Sequence, residues 1–83
     1  MFLSGIHVRM ARAALGWSVA EAAERSGVSV STIKRIEAAS GTPNVLTSNL
    51  EALKSTFEAE GIEFEVAAGL TGRGPGVFYT PRR

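Results

Sequence analysis

SVAEAAERSGVSVSTIKRIEAA, residues 18–39, decides how the rest of the chain is read. Ser18 has the right side chain for a helix N-cap, and Glu21 three residues later completes the sequence pattern of a capping box. Ala20, Ala22 and Ala23 are strong helix formers, so a first helix is expected over Val19–Arg25. Gly27 suits a sharp turn in which φ can be positive. Ser29 then caps a second helix whose buried stripe is Val28, Ile33 and Ile36. Val30, Ser31, Thr32, Lys34 and Arg35 remain outward. Small polar and basic side chains on one exposed helix face are what a DNA major groove accommodates. The stretch reads as a helix-turn-helix.

Upstream, Ser4 caps a helix expected over Gly5–Leu15, with Ile6, Met10, Ala13 and Ala14 at helical spacing toward the core. Gly16 ends it, and Trp17 is placed as a lid over the junction. His7 is expected on a solvated face beside Arg9 and Arg12. Downstream, AASGTPN at residues 38–44 is a loop in which Ser40, Gly41 and Thr42 offer small donors to a phosphate. In residues 45–60, Leu46, Leu50, Leu53 and Phe57 form one amphipathic stripe, closed by Gly61.

The chain then changes character. Ile62-Glu-Phe-Glu-Val66 alternates strictly, so Ile62, Phe64 and Val66 share one face of a strand. A glycine-rich stretch follows, then a second strand at Val77–Thr80 and a basic tail, Pro81-Arg-Arg83. A lone two-stranded hairpin is marginal in water, and its edges invite further pairing. Pairing across a two-fold axis solves both problems, with Ile62, Phe64, Val66, Val77 and Tyr79 as the dimerisation residues. The plainer alternative is a hairpin packed on its own helices; a third is docking of a different protein. The chain therefore divides into a mainly α helix-turn-helix domain, residues 1–61, and a C-terminal β-hairpin extension, residues 62–83.

Composition narrows the function classes. Eighty-three residues, 45% of them hydrophobic, make one folded domain near the lower size limit for a self-sufficient core. There is no cysteine, hence no disulfide and no thiolate metal site. No apolar run approaches the roughly 18 residues of a membrane span, and the first ten residues do not resemble a signal peptide. The net charge is only +1 but unevenly spread. Residues 1–36 carry Arg9, Arg12, Arg25, Lys34 and Arg35 against Glu21 and Glu24. Residues 37–65 carry Lys54 alone against Glu37, Glu51, Glu58, Glu60, Glu63 and Glu65. That polarity would orient the molecule on DNA. One histidine, no cysteine and no aspartate leave no triad and no metal cluster, so neither enzyme activity nor a cofactor is expected. Gly72-x-Gly74-x-Gly76 is interrupted by Pro75 and lacks the lysine of a phosphate-binding loop.

Ala23-x-x-x-Gly-Val-Ser-x-Ser-Thr-Ile-x-x-Ile-Glu37 resembles the helix-turn-helix of the Cro/CI (Xre) regulators. The likeness extends upstream through Arg12-Ala-Ala-Leu-Gly-Trp-Ser18 and downstream to Pro43. It implies a lambda-repressor-like four-helix domain that binds double-stranded DNA, as a homodimer on an inverted repeat, in the cytoplasm with the nucleoid. Val30, Ser31 and Arg35 fall where such regulators touch base edges. Arg9, Ser29, Thr32, Lys34, Ser40 and Thr42 are then the expected backbone contacts. The resemblance also implies an ion pair between Arg12 and Glu37 joining the first and third helices. One departure stands out: many members carry a glutamine where this chain has Val19, so that contact is missing. Two rival readings keep the shape but change the role. One is an antitoxin that docks a protein partner and binds DNA only to regulate itself; the other is an interaction module that no longer binds DNA.

Overall fold

Serine opens the first three helices, and glycine closes the first two. In the computed structural model, which describes residues 3–39, 44–65 and 76–81, α1 spans Gly5–Leu15, α2 Val19–Ser26, α3 Val30–Ala38 and α4 Thr47–Ala59. Strands β1 (Ile62–Glu65) and β2 (Gly76–Tyr79) form an antiparallel two-stranded sheet. The molecule is mainly helical with a C-terminal hairpin, as the sequence implies. Ser18 Oγ accepts from the Glu21 N–H at 3.0 Å, and Ser29 Oγ from the Thr32 N–H at 3.2 Å. Each satisfies one of the free donors of a first turn. Only half of the expected capping box forms at α2, because the Glu21 carboxylate pairs with Arg25 one turn on. Gly27 adopts φ 79°, a left-handed conformation that opens the turn between α2 and α3 without a Cβ clash.

One core joins every element. Val8 and Ala11 of α1, Ala22 of α2, Val28, Ile33 and Ile36, then Leu50, Leu53 and Phe57 of α4 are buried together with Leu3 and Ile62. Trp17 packs against this core, its ring 5.6 Å from that of Phe57. Ile62 lies inside the core, so the boundary drawn at residue 61 separates elements but not cores.

The inward face of α1 differs from the expected one. Gly5, His7, Val8 and Ala11 are buried, whereas Ile6 is 42% exposed, Ala13 and Ala14 are exposed and Met10 is half-buried. Both faces of α1 carry apolar residues at helical spacing, so periodicity alone cannot choose between them. Tertiary contact decides. A Cβ on Gly5 would stand 2.4 Å from the Ile36 carbonyl oxygen and 3.0 Å from the Glu37 Cα. Glycine thus lets the first turn of α1 lie directly on the last turn of α3.

His7 also departs from expectation: it is only 3% exposed. Its Nε2 donates to the Glu65 carbonyl at 2.8 Å. A carbonyl only accepts, so Nε2 carries a proton, and the Ser4 N–H donates to Nδ1 at 3.2 Å, which makes Nδ1 the unprotonated nitrogen; the Ser4 hydroxyl lies 2.9 Å from it. With both nitrogens satisfied, a neutral imidazole can be buried at little cost. The ring meets Phe64 edge-on at 5.6 Å.

Two further corrections concern the second half. Leu46 is 70% exposed because it lies ahead of α4 in extended backbone (ψ 137°), outside the helical stripe; Val45 packs on the core instead. The second correction is the apolar face of the hairpin. The register pairs Ile62 with Tyr79 and Phe64 with Val77, so these four share one face. Ile62 is buried, Phe64 and Val77 pack on the core, and Phe64 stands 6.1 Å from Phe57. The face expected to make a dimer through Ile62, Phe64 and Val77 covers the chain's own helices. Tyr79, at its end, is 41% exposed, and Val66 lies outside the described residues. A carboxylate at position 64 would therefore damage the core itself, whatever it did to a dimer.

Gly5→Ala should lower stability by about 1–3 kcal/mol, because backbone must shift to admit the methyl group. Chemical denaturation checks this against Ala13→Ser, an exposed-site control expected to stay within about 0.5 kcal/mol of the parent. Equal midpoints for both variants would show that α1 and α3 do not meet as closely as described.

Candidate nucleic-acid interface

Helix α3 turns Ile33 and Ile36 into the core and leaves Val30, Ser31, Lys34 and Arg35 exposed on the opposite side. Positions i, i+1, i+4 and i+5 form one surface strip of a helix. Val30 is 38% exposed, a small branched apolar group between a hydroxyl and two cations. Thr32 is half-buried at the edge of the strip. Its Oγ1 accepts from Ser29 Oγ at 2.9 Å, and Ser31 Oγ lies 3.3 Å from Ser29 Oγ. The three hydroxyls cluster at the N-terminus of α3, with the Ser29 oxygen already holding the cap.

The basic residues fall into two groups. Arg12 grips Glu37 with a planar fork, Nε to Oε2 at 2.6 Å and Nη2 to Oε1 at 2.8 Å. Its remaining Nη1 donates to the Trp17 carbonyl at 3.0 Å. Exposure of the two side chains is 21% and 11%, so solvent screens this pair less than a surface pair. The hydrogen bond to Glu37 raises the Arg12 pKa above the ordinary arginine range, partly offset by burial. A pKa raised on folding contributes stability at every pH below the unfolded value and loses it only when pH climbs through the folded one. For arginine that window lies beyond ordinary alkaline buffers, so Arg12 stays charged wherever the protein is handled.

Arg9, expected at the DNA backbone, donates Nη1 to the Glu37 backbone carbonyl. Arg25 pairs with Glu21, reaches Glu60 at 3.8 Å and lies with its guanidinium carbon 4.6 Å from the Trp17 ring centroid. Lys54 pairs with Glu58 at 2.9 Å. Lys34 and Arg35 are different. Both are exposed, and neither forms an ion pair or a side-chain hydrogen bond among the described residues.

Beside this strip runs a shallow groove lined by Thr32, Arg35, Asn44, Val45, Leu46 and Asn49. Sequence reading passed over Asn44 and Asn49, which line the same groove as Arg35. Only the Pro43-Asn-Val order hinted that the chain returns there. Ser40 and Thr42 lie outside the described residues. Val19 is half-buried and packs on the core, so the position that departs from the Cro/CI pattern serves packing. Among the described residues no group of three or more His, Cys, Asp or Glu side chains could hold a metal, and no helix is long and apolar enough to cross a membrane.

The helix-turn-helix family model matches residues 8–48, from the second turn of α1 to the start of α4. Residues 8–48 are thus a helix-turn-helix domain of the Cro/CI (Xre) type. The chain is accordingly a DNA-binding helix-turn-helix regulator, with α2 and α3 as the two helices of the motif. No curated protein matches the chain. Within this Cro/CI-type domain the last turn of α3 is held from α1 at three points: Gly5 under the Ile36 carbonyl, Arg9 on the Glu37 carbonyl and Arg12 on the Glu37 carboxylate. Cations at a helix C-terminus also oppose its negative dipole end.

A double-mutant cycle on Arg12→Ala and Glu37→Ala should give single losses of about 1.5–3 kcal/mol each. The double variant should lose less than their sum, with a coupling of about 0.5–3 kcal/mol. Urea unfolding supplies all four values. Additive losses would mean that the fork contributes nothing beyond the packing of two long side chains.

Proposed function

We propose that this regulator lays α3 in a DNA major groove and reads base edges with Val30, Ser31 and Arg35. The observation that carries the reading is the pair of exposed cations Lys34 and Arg35, unengaged among the described residues, on the face of α3 opposite Ile33 and Ile36. A guanidinium can donate two parallel hydrogen bonds to guanine O6 and N7, and a valine can meet a thymine methyl. Lys34, a compact point charge, suits a phosphate, as do the hydroxyls of Ser29 and Thr32 and the loop donors Ser40 and Thr42. Arg9 combines a structural bond to Glu37 with further guanidinium donors that could reach the same backbone.

Two copies acting together would place their α3 helices about 34 Å apart, one turn of B-DNA, so the operator is an inverted repeat. Doubling the contacts compensates for a net charge of +1 per chain, which alone gives weak, salt-sensitive binding. Acting on DNA in this way, the protein works in the cytoplasm at the nucleoid.

Selection of binding sites from a random duplex pool should return an inverted repeat. Against that site Arg35→Ala should cost about 1–3 kcal/mol and relax preference at one base pair per half-site. An equal loss on selected and random DNA would make Arg35 a phosphate contact instead.

A further inference from the structure

Arg35 belongs to the outward strip of α3 and also to the groove beside it. One wall of that groove comes from α3, through Thr32 and Arg35. The other comes from the approach to α4 and its first turn, through Asn44, Val45, Leu46 and Asn49. A guanidinium has five N–H donors and no acceptor. Two of them suffice for guanine O6 and N7, so three are left over. When DNA covers the strip and displaces water, donors without an acceptor weaken binding. The backbone carbonyls around Arg35 are taken by the helix ladder of α3. Acceptors must therefore come from side chains of the groove.

Three of the lining side chains carry an oxygen. Thr32 Oγ1 already engages Ser29 Oγ at 2.9 Å. Asn44 is exposed and lies ahead of α4, outside any helix. Asn49 differs from both. It is half-buried and sits in the first turn of α4, a helix anchored in the core by Leu50, Leu53 and Phe57. Its backbone N–H donates to the Leu46 carbonyl at 3.0 Å. Its side-chain amide has no hydrogen-bond partner among the described residues. A group carried on a packed helix holds its place more precisely than one on a loop. An arginine held in advance also loses less rotamer freedom on binding.

We propose that Asn49 is a positioning residue for DNA reading: in the complex its amide oxygen accepts a hydrogen bond from Arg35 and holds the guanidinium in the orientation that meets a guanine. Asn49 acts through Arg35 and does not itself touch DNA. This rests on the α3 reading given above and names the residue that sets the aim of its principal side chain.

Fluorescence-anisotropy titrations of the full-length chain test it on two duplexes. One is the site selected from the random pool; the other has the base pair exchanged at which Arg35→Ala relaxes preference. The readout is the ratio of the two affinities, which in the parent should be roughly tenfold or more. Asn49→Ala should lower that ratio about threefold or more, with helical circular dichroism and melting temperature unchanged. Asn49→Asp keeps an acceptor of the same shape and should keep the ratio, although its charge weakens binding to both duplexes alike. In an Arg35→Ala background neither substitution should change the ratio. An unchanged ratio in Asn49→Ala, an equal fall in Asn49→Asp, or an effect that persists without Arg35 would each overturn the proposal and leave the α3 reading intact. A uniform loss on both duplexes, worst in Asn49→Asp, would make Asn49 a phosphate contact instead and overturn it too. Binding in which no base pair depends on Arg35 would overturn the α3 reading itself.

Discussion

The grip of α1 on the last turn of α3 is the constraint on which the rest of the structure depends. Helix α3 is short, Val30–Ala38, and helices of that length are not stable alone. It is capped by Ser29 at its start but ends without a left-handed glycine, since Ala39 has ψ 139°. Its final carbonyls are instead met from α1, by Gly5 in close approach, by Arg9, and through the carboxylate by the fork of Arg12. Because Arg12 also binds the Trp17 carbonyl, the junction leading into α2 is fixed by the same side chain. Two helices of the motif are thus oriented by one guanidinium. The outward strip of α3 is then presented by rigid elements and not by a loop, which suits a surface that must match a groove.

The hairpin belongs to that arrangement. His7 hydrogen-bonds Ser4 through Nδ1 and the end of β1 through Nε2, while its neighbour Gly5 lies against α3. Phe64 bridges His7 and Phe57. A small helical domain has little apolar surface to bury, and the inner face of the hairpin adds Ile62, Phe64 and Val77 to the core that Leu3 and the four helices build. The outer face is then free to have a different chemistry, and it does: carboxylates and an exposed phenylalanine rather than a second apolar layer.

Much of this was legible in the sequence because it is local. Serine caps at 18 and 29, the turn at Gly27 and the Leu50, Leu53 and Phe57 stripe each express rules that act within one or two turns. What could not be read is tertiary. Alanines and methyl-bearing residues on both faces of α1 made Ile6 as plausible an inward residue as Val8. His7 looked solvated because its two partners are Ser4, three residues away, and a carbonyl 58 residues on. Leu46 fell in step with α4 by spacing but precedes its first turn. The hairpin alternation correctly grouped Ile62 with Phe64, yet an apolar face does not say whether a partner or its own helices cover it. For α3 the composition of the strip was visible, but not that Lys34 and Arg35 find no partner among the described residues while Arg9, Arg12 and Arg25 do.

The central claim is that this arrangement presents α3 to a specific DNA sequence. The most direct measurement is a fluorescence-anisotropy titration of the DNA upstream of the protein's own gene and of a scrambled duplex, each at two salt concentrations. Tighter binding to the natural duplex by a factor of about a thousand or more, persisting at physiological salt, is the predicted result. Weak binding that is equal for both duplexes and erased by salt, repeated with the best sites drawn from a random pool, would contradict it.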